Sequence, residues 1–406
     1  MIRLIGTAVA IASLVASLSQ AQASDVNRQI YISKSDQTLR LYEDGALVNA
    51  MRISTGKVKH ETPSGIFSII EKKKYHESNI YSNAPMPFMQ RVTWSGVALH
   101  EGRVPNYPAS HGCIRIPKKW APELYRLTNR GTPVIITNEP VKPFRLSHSL
   151  LPGKPTQLDA PLISNAVLRG DLQQGPIEFA VLDSTITNSI TPIAESSQRA
   201  AEPLKLLITW RSERDKVALT QKRLSSLGFD AGKADGLIGV QTGIALSAFN
   251  RWKNIDPKAQ LMSQSVQEAL KAASFESDLT NGTLEIRKAF QPLDKFDVDI
   301  DDSDMELGTH YLQAIAAPSG KAVSEWMAVS LPNQLPTGTR KRLGLRDSTN
   351  QPVQRLSDVL SRLTLSKSAR DFLEENFSTQ MSLTITDYSH EQETGQGTEF
   401  ITITRD

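Results

Sequence analysis

The chain has 406 residues, 39% of them apolar and 22% charged, with a formal net charge of +3. That length asks for two or three hydrophobic cores. No dense Lys/Arg block interleaved with aromatics occurs, which argues against a nucleic-acid partner, and after the N-terminus no apolar run is long enough to cross a bilayer.

The chain opens MIRLIGTAVAIASLVASLSQAQAS, with one cation at Arg3, an apolar stretch from Leu4 to Leu18 and Ala21-Gln22-Ala23 as a small-residue cleavage site. Residues 1–23 read as a secretory signal peptide, an uncleaved anchor being the alternative, so export to the periplasm is expected. Export bears on Cys113, the single cysteine of the chain. No second cysteine can close a disulfide with it, which leaves an intermolecular link, an inert buried residue or a reactive thiol.

From Gln29 to Glu139 short alternating segments predict strands: two flank Asp44-Gly45, a hairpin signal, and others run over Gly65–Ile70, Thr93–His100 and Pro133–Thr137. Lys119–Leu127 has helical apolar spacing. This first domain, 29–139, is expected to be mainly β with at least one helix. Residues 140–211, with several prolines and Ser/Thr-rich stretches, read as a linker with some local structure, including a strand at Ile177–Leu182.

Over 212–275 helical spacing takes over, through Val217, Leu224 and Leu227 before Gly228, then Ala245, Leu246 and Phe249, then Val266 and Leu270. A small helical domain follows from it. Residues 281–406 return to strands around a helical stretch near 352–377, a mixed α/β C-terminal domain, so the fold class is multidomain α+β. Laid without gaps on 38–53, residues 283–298 share Thr-Leu and further apolar positions: a degenerate catalytic-like repeat and a chance match of two amphipathic hairpins are equal readings. The acidic run at Asp297, Asp299 and Asp301 imitates a calcium loop but lacks its glycine and its final glutamate, and reads as a solvated loop; no metal is expected.

A cysteine nucleophile needs thiolate character, a base and donors for an oxyanion. The segment ALHEGRVPNYPASHGCIRIP offers them: His100 ends an apolar run, Gly112 lets a carbonyl approach the N–H groups of Gly112 and Cys113, and Arg115 shares a face with the sulfur in extended backbone. His111 is a second candidate base, and spacing alone does not choose between the two histidines. A buried, inert Cys113 with structural histidines is the bland alternative.

SHGCIRIP at 110–117, preceded by LHEG at 99–102 and STGKVKHETPSGIF at 54–67, resembles the catalytic domain of the YkuD-type L,D-transpeptidases over residues 29–139. The resemblance implies a cysteine transpeptidase of peptidoglycan. Cys113 would form a thioester with a tetrapeptide stem, release D-alanine, and pass the acyl group to an acceptor amine in a 3-3 cross-link. It implies His100 as general base, oriented by the backbone carbonyl of Glu101, with Gly112 in the oxyanion hole and Ser110, His111 and Arg115 at the substrate; no cofactor is implied. Nine residues separate His100 from Ser110, fewer than in many members, which implies a truncated lid. Residues 76–91 resemble the cleft-lining segment of that short-spaced branch.

TQKRLSSLGFDAGKADGLIGVQTGIALSAFNRW at 220–252 resembles a three-helix peptidoglycan-binding domain, departing from its pattern at Thr220 and Asn250. Two other outcomes stay open. The thioester could go to water, in a carboxypeptidase or an amidohydrolase that frees wall-bound proteins, or the chain could be a non-catalytic wall-binding scaffold.

Overall fold

The computed structural model describes residues 26–78, 83–153, 202–274, 280–315, 325–346, 355–388, 394–395 and 397–405. The expected signal segment and the strand expected at Ile177–Leu182 lie outside the described residues.

Alternating apolar side chains build the meander β1 (Arg28–Ser33), β2 (Thr38–Glu43) and β3 (Ala46–Arg52). Its turn has φ of 46° at Asp44 and 80° at Gly45, the left-handed pair that a two-residue hairpin requires. Next come β4 (Ser64–Ser68), β5 (Glu71–Lys73), β6 (Met89–Arg91), β7 (Ala98–Glu101), β8 (Ile114–Ile116), helix α1 (Ala121–Leu127) and β9 (Pro133–Thr137). Strand β9 lies between β1, to which it is parallel, and β4, to which it is antiparallel. One face of this sheet packs Ile30, Ile32, Leu39, Phe67 and Ile136 against Leu99 and Ile114 of the smaller sheet β5-β6-β7-β8. Each such side chain contributes about 1.5–3 kcal/mol of burial, which is what seats the small sheet.

The rest of the chain supplies β10 (Phe144–Leu146), β11 (Lys205–Trp210), helices α2 (Glu213–Ser226), α3 (Val240–Trp252) and α4 (Gln264–Ala273), then β12 (Gly282–Lys288), β13 (Gln291–Ile300), β14 (Thr309–Ile315) and β15 (Glu325–Leu331). Helices α5 (Thr337–Leu343) and α6 (Leu356–Ser361), β16 (Leu363–Leu365), α7 (Lys367–Glu375), β17 (Ser382–Thr386) and β18 (Thr402–Thr404) complete it. Seven of the strands form, with β11, a second sheet in the order β10-β15-β14-β17-β11-β12-β13-β16. The segment read as a linker thus contributes two strands, β10 and β11, to this sheet. Their partners lie more than a hundred residues away or beyond the helices, so no local alternation could disclose them. The acidic run is strand as far as Ile300 and loop from Asp301 on: Val298 and Ile300 of β13 are buried while Asp297 and Asp299 point outward, and Asp297 pairs with Arg211 at 2.5 Å.

Helices α2, α3 and α4 enclose their own core of Val217, Leu224, Ala245, Phe249, Val266 and Leu270 and are inserted between β11 and β12. Ser212 caps α2, its hydroxyl accepting from the Asp215 amide at 3.1 Å. Gln221 fastens the loop before α3, accepting from the Gly236 amide and donating to Leu237 O and Thr242 Oγ1, each at 2.9 Å.

Without that insertion, β11, β12, β13, β14 and β17 repeat the order and directions of β1, β2, β3, β4 and β9. The register repeats too. Thr38 faces Arg52 as Thr283 faces Asp297, Leu39 faces Met51 as Leu284 faces Phe296, and the bulge falls between Leu41 and Tyr42 in one hairpin and between Ile286 and Arg287 in the other. The two sheets pack back to back through Tyr31, Tyr42, Ile66 and Ile135 on one side and Tyr311, Val329 and Leu331 on the other. Gln29 donates to Gln313 Oε1 at 2.5 Å across this seam.

The chain then returns to its beginning: β18 pairs antiparallel with β4 and closes that edge of the first sheet, so the C-terminal residues do not all belong to the second unit. Gly65 makes room, since a Cβ there would lie 2.1 Å from Thr402 O, and its φ is 149°. Ile401, 1% exposed, sits in the first core. Replacing Ile401 with Ala is therefore expected to cost about 2–4 kcal/mol, read as a lowered urea midpoint at which the N-terminal cleft is lost as well.

Candidate active site

Strands β7 and β8 run parallel, with Leu99 facing Ile114 and His100 facing Arg115. Because side chains alternate, Leu99, Ile114 and Ile116 enter the core, while Ala98, His100, Cys113 and Arg115 turn to the other face. There they line a cleft of about 240 Å³ with Ser110, His111 and Gly112. His76, Met86, Met89 and Arg91, from the segment whose sequence suggested a cleft lining, also line it.

The nucleophile loop is clamped by residues 54–62. Ser54 and Arg115 exchange backbone hydrogen bonds at 3.0 and 2.8 Å, and the amides of Ala109 and Ser110 both donate to Thr55 O at 3.0 Å. Lys57 N donates to Ser110 O at 3.0 Å. The Thr62 hydroxyl accepts from Gly56 N at 2.9 Å and donates to Gly112 O at 2.8 Å, which gives the threonine of Thr62-Pro63-Ser64-Gly65 its physical role. Buried Gln37 holds Thr55 from behind, accepting from its amide at 2.9 Å and donating to its hydroxyl at 2.7 Å.

His100 is 9% exposed, and its Nδ1 lies 2.8 Å from Glu101 O. A carbonyl only accepts, so Nδ1 carries the proton and Nε2 keeps its lone pair. Burial lowers the His100 pKa to about 4; the Glu101 carbonyl opposes this, and the charge of Arg115 adds to it. His111 is exposed, with its ring edge-on to His60 at 4.8 Å. Of the two candidate bases, His100 is the one whose ring is oriented within the cleft wall.

Cys113 is partly exposed and its thiol donates to Gly96 O at 3.4 Å. Burial pushes the Cys113 pKa up; a backbone hydrogen bond from Ala98 and the charges of Arg91 and Arg115 oppose it. The resting pair is thus neutral thiol and neutral imidazole.

Ser110 braces the loop, its hydroxyl donating to Cys113 O at 2.5 Å and accepting from Gly112 N at 3.1 Å. That second bond alters one expectation, since the Gly112 amide is engaged by Ser110 and the Cys113 amide is the remaining member of the expected donor pair. What Gly112 supplies is conformation, with φ of 113°. Arg115 faces the cleft, its stem so close to Gly102 that a Cβ there would lie 3.0 Å from Arg115 Cγ. The short 101–109 connection is itself tied down, Glu101 N donating to Pro87 O and Gly102 N to Ile116 O, each at 2.9 Å.

Sequence reasoning singled out neither Arg91 nor His76. Arg91 sits on β6 two residues from Met89, on the same face, and its Nε donates to Glu71 Oε2 at 2.8 Å. The alternation of Met89 and Arg91 was the available signal, but it does not say that β6 pairs with β7 and so reaches the cleft. Among the described residues no group of His, Cys, Asp and Glu is placed to hold a metal ion.

Residues 27–136 match the family model of the YkuD L,D-transpeptidase catalytic domain. No curated protein sequence matches the chain. Solved structures similar to part of it include an L,D-transpeptidase from Mycobacterium smegmatis, at 24% identity over 28% of this chain and 59% of that one, with a TM-score of 0.26. An L,D-transpeptidase mutant from Enterococcus faecium shares 25% over 27% and 49%, with a TM-score of 0.25. One from Xylanimonas cellulosilytica shares 26% over 28% and 62%, also at 0.25. The similarity thus spans about half to three fifths of those chains.

Two outcomes follow from the geometry. Only the carbonyl of Glu101 is used, so Glu101→Gln should keep turnover within about twofold of the parent chain. With a pKa of about 4, His100, expected to act as the base in its neutral form, stays neutral as pH falls from 7 to 5. Acylation of Cys113 should therefore lose its acid limb near pH 4 rather than 6.5. The unfolded chain takes up this proton first, so stability declines from pH 6.5 towards 4; the rate profile is to be read beside the melting temperature at each pH.

Proposed function

With a YkuD L,D-transpeptidase domain at residues 27–136 as the premise, we propose that the protein is an exported cysteine transpeptidase of peptidoglycan. The observation that carries this reading is the common face of β7 and β8, which turns Cys113 and a His100 of defined tautomer into one cleft. In this reading His100 Nε2 takes the thiol proton as sulfur attacks the carbonyl between an L-centre and the terminal D-alanine of a tetrapeptide stem. The oxyanion develops beside the Cys113 amide. His100 then gives the proton to the departing D-alanine amine, leaving a thioester on Cys113. An acceptor amine loses a proton to His100 as it attacks the thioester, and the thiolate leaves and recovers that proton. One amide is broken and one formed, with no cofactor.

The inserted helices serve as the wall-binding element in this proposal. Leu237, Ile238, Val240 and Ile244 are exposed at the start of α3, an apolar surface available to the polymer. The C-terminal unit, with the repeated register of its five strands and no cysteine, is read as a non-catalytic copy that supports the first sheet.

Muropeptide analysis after exposing peptidoglycan to the protein tests the reading. Dimers joined between two diaminoacyl residues are expected, with D-alanine released, and Cys113→Ala should abolish both. Shortened stems without dimers would assign the thioester to water instead. Cross-linking that survives in Cys113→Ala would overturn the proposal, and N-terminal sequencing of the mature protein checks export.

A further inference from the structure

The cleft is cationic in a way the chemistry of acyl transfer does not require. Among the described residues that line it there is no Asp or Glu, whereas Arg91 of β6 and Arg115 of β8, the strands on either side of β7, both reach it beside Cys113. Glu71 engages Arg91 at Nε, 2.8 Å away, and also pairs with Lys73 at 2.9 Å. Held from behind in this way, the guanidinium side chain is only 14% exposed, and no described protein acceptor bonds its two terminal nitrogens. The Trp94 ring centroid lies 5.9 Å from the guanidinium carbon, within cation–π range. Such a pre-oriented fork, with two parallel donors left over, matches a carboxylate and is wasted on a neutral amide.

We propose that Arg91 is a specificity-determining residue that binds a free carboxylate of the donor peptide, so that the cleft selects stems with free acids over stems amidated at that position. This inference rests on the peptidoglycan reading above. Arg115, from β8, sets the remaining anionic end of the same peptide. An amide at the Arg91 position would leave a largely buried guanidinium facing an uncharged group, and hydrogen bonds to charged groups are worth roughly 10- to 100-fold in a binding constant. Arg91 touches the reaction only through binding, so its loss should appear in KM more than in kcat.

The test uses the full chain and four synthetic tetrapeptide donors: one with every carboxylate free and three amidated singly at the D-glutamyl, the diaminoacyl or the terminal D-alanyl carboxylate. With the parent protein, one amidated donor should fall roughly 10- to 100-fold in kcat/KM. With Arg91→Gln the free-acid donor should rise in KM by a similar factor, and the penalty for that same amide should shrink to within about threefold, while Arg91→Lys recovers part of the preference. Equal turnover of all four donors by the parent protein overturns the inference, as does Arg91→Gln retaining the full penalty. A loss that is equal for every donor, with a lowered melting temperature, marks a structural role and overturns it as well. Equilibrium binding of the four peptides to Cys113→Ala separates this inference from the transpeptidase reading. Should the parent protein turn over none of them, that reading falls, and a free-acid preference in binding that Arg91→Gln removes still decides for Arg91.

Discussion

Strands of three and four residues do not hold a nucleophile still, and β7 and β8 are no longer than that. The rigidity of the site comes from the interlock of 54–62 with 107–115. Backbone bonds from Ser54, Thr55 and Lys57 fix the path of the nucleophile loop, and the Thr62 hydroxyl seizes the Gly112 carbonyl. Gly56 lets the clamp turn back on itself, for a Cβ there would lie 1.9 Å from His60 O. Since Arg115 is itself one of the clamped residues, the cation beside the sulfur is placed by the same bonds that place the sulfur. Gln37 and Thr62, neither of which lines the cleft, therefore help to set where Cys113 sits relative to His100.

The clamp stands on a sheet buried on both faces. One face carries the small sheet and α1, and the other is covered by the second sheet, through Tyr31 and Tyr42, whose rings meet edge to face at 5.2 Å. The exposed edge of β4 would be an invitation to foreign strands, and β18 covers it. These connections make the C-terminal unit part of the foundation of the N-terminal site. They also account for the persistence of matching bulges in the two hairpins, because each bulge re-aims a strand end at the periphery of a sheet whose back is already occupied.

What the sequence disclosed and what it hid divide along the range of the interactions. Cys113, His100 and Arg115 were legible because they fall within sixteen residues and alternate on short strands. The Asp44-Gly45 hairpin, α1 to α4 and the stretch that holds α6 and α7 were legible from local patterns, whereas α5 was not expected and β16 interrupts that last stretch. The role of Thr62 could be matched to a motif but not explained, since its partner is fifty residues away. Strands β10, β11 and β18 are defined by partners that no local pattern names, and the acidic side chains of β13 masked the alternation of Val298 and Ile300 beneath them. The engagement of the Gly112 amide escaped for a different reason: Ser110 was read as shaping the loop, and only coordinates show that it does so by accepting the very N–H that an oxyanion would have used.

The electrostatics of the resting site set the order of events. Burial favours the neutral form of both partners, depressing His100 and raising Cys113, so the thiolate–imidazolium pair is the minor state before a substrate arrives. Arg115 acts in opposite senses on the two groups, its positive charge easing ionisation of the thiol, as that of Arg91 also does, while resisting protonation of the imidazole. A donor carboxylate that neutralises these guanidinium groups would remove part of the resistance at His100 and part of the assistance at Cys113 together. In the proposed reaction, proton transfer then gains little from charge alone and is best coupled to attack, with the developing negative charge passing from sulfur to the carbonyl oxygen. A site arranged in this way keeps the Cys113 thiol protonated, and so poorly nucleophilic, at rest.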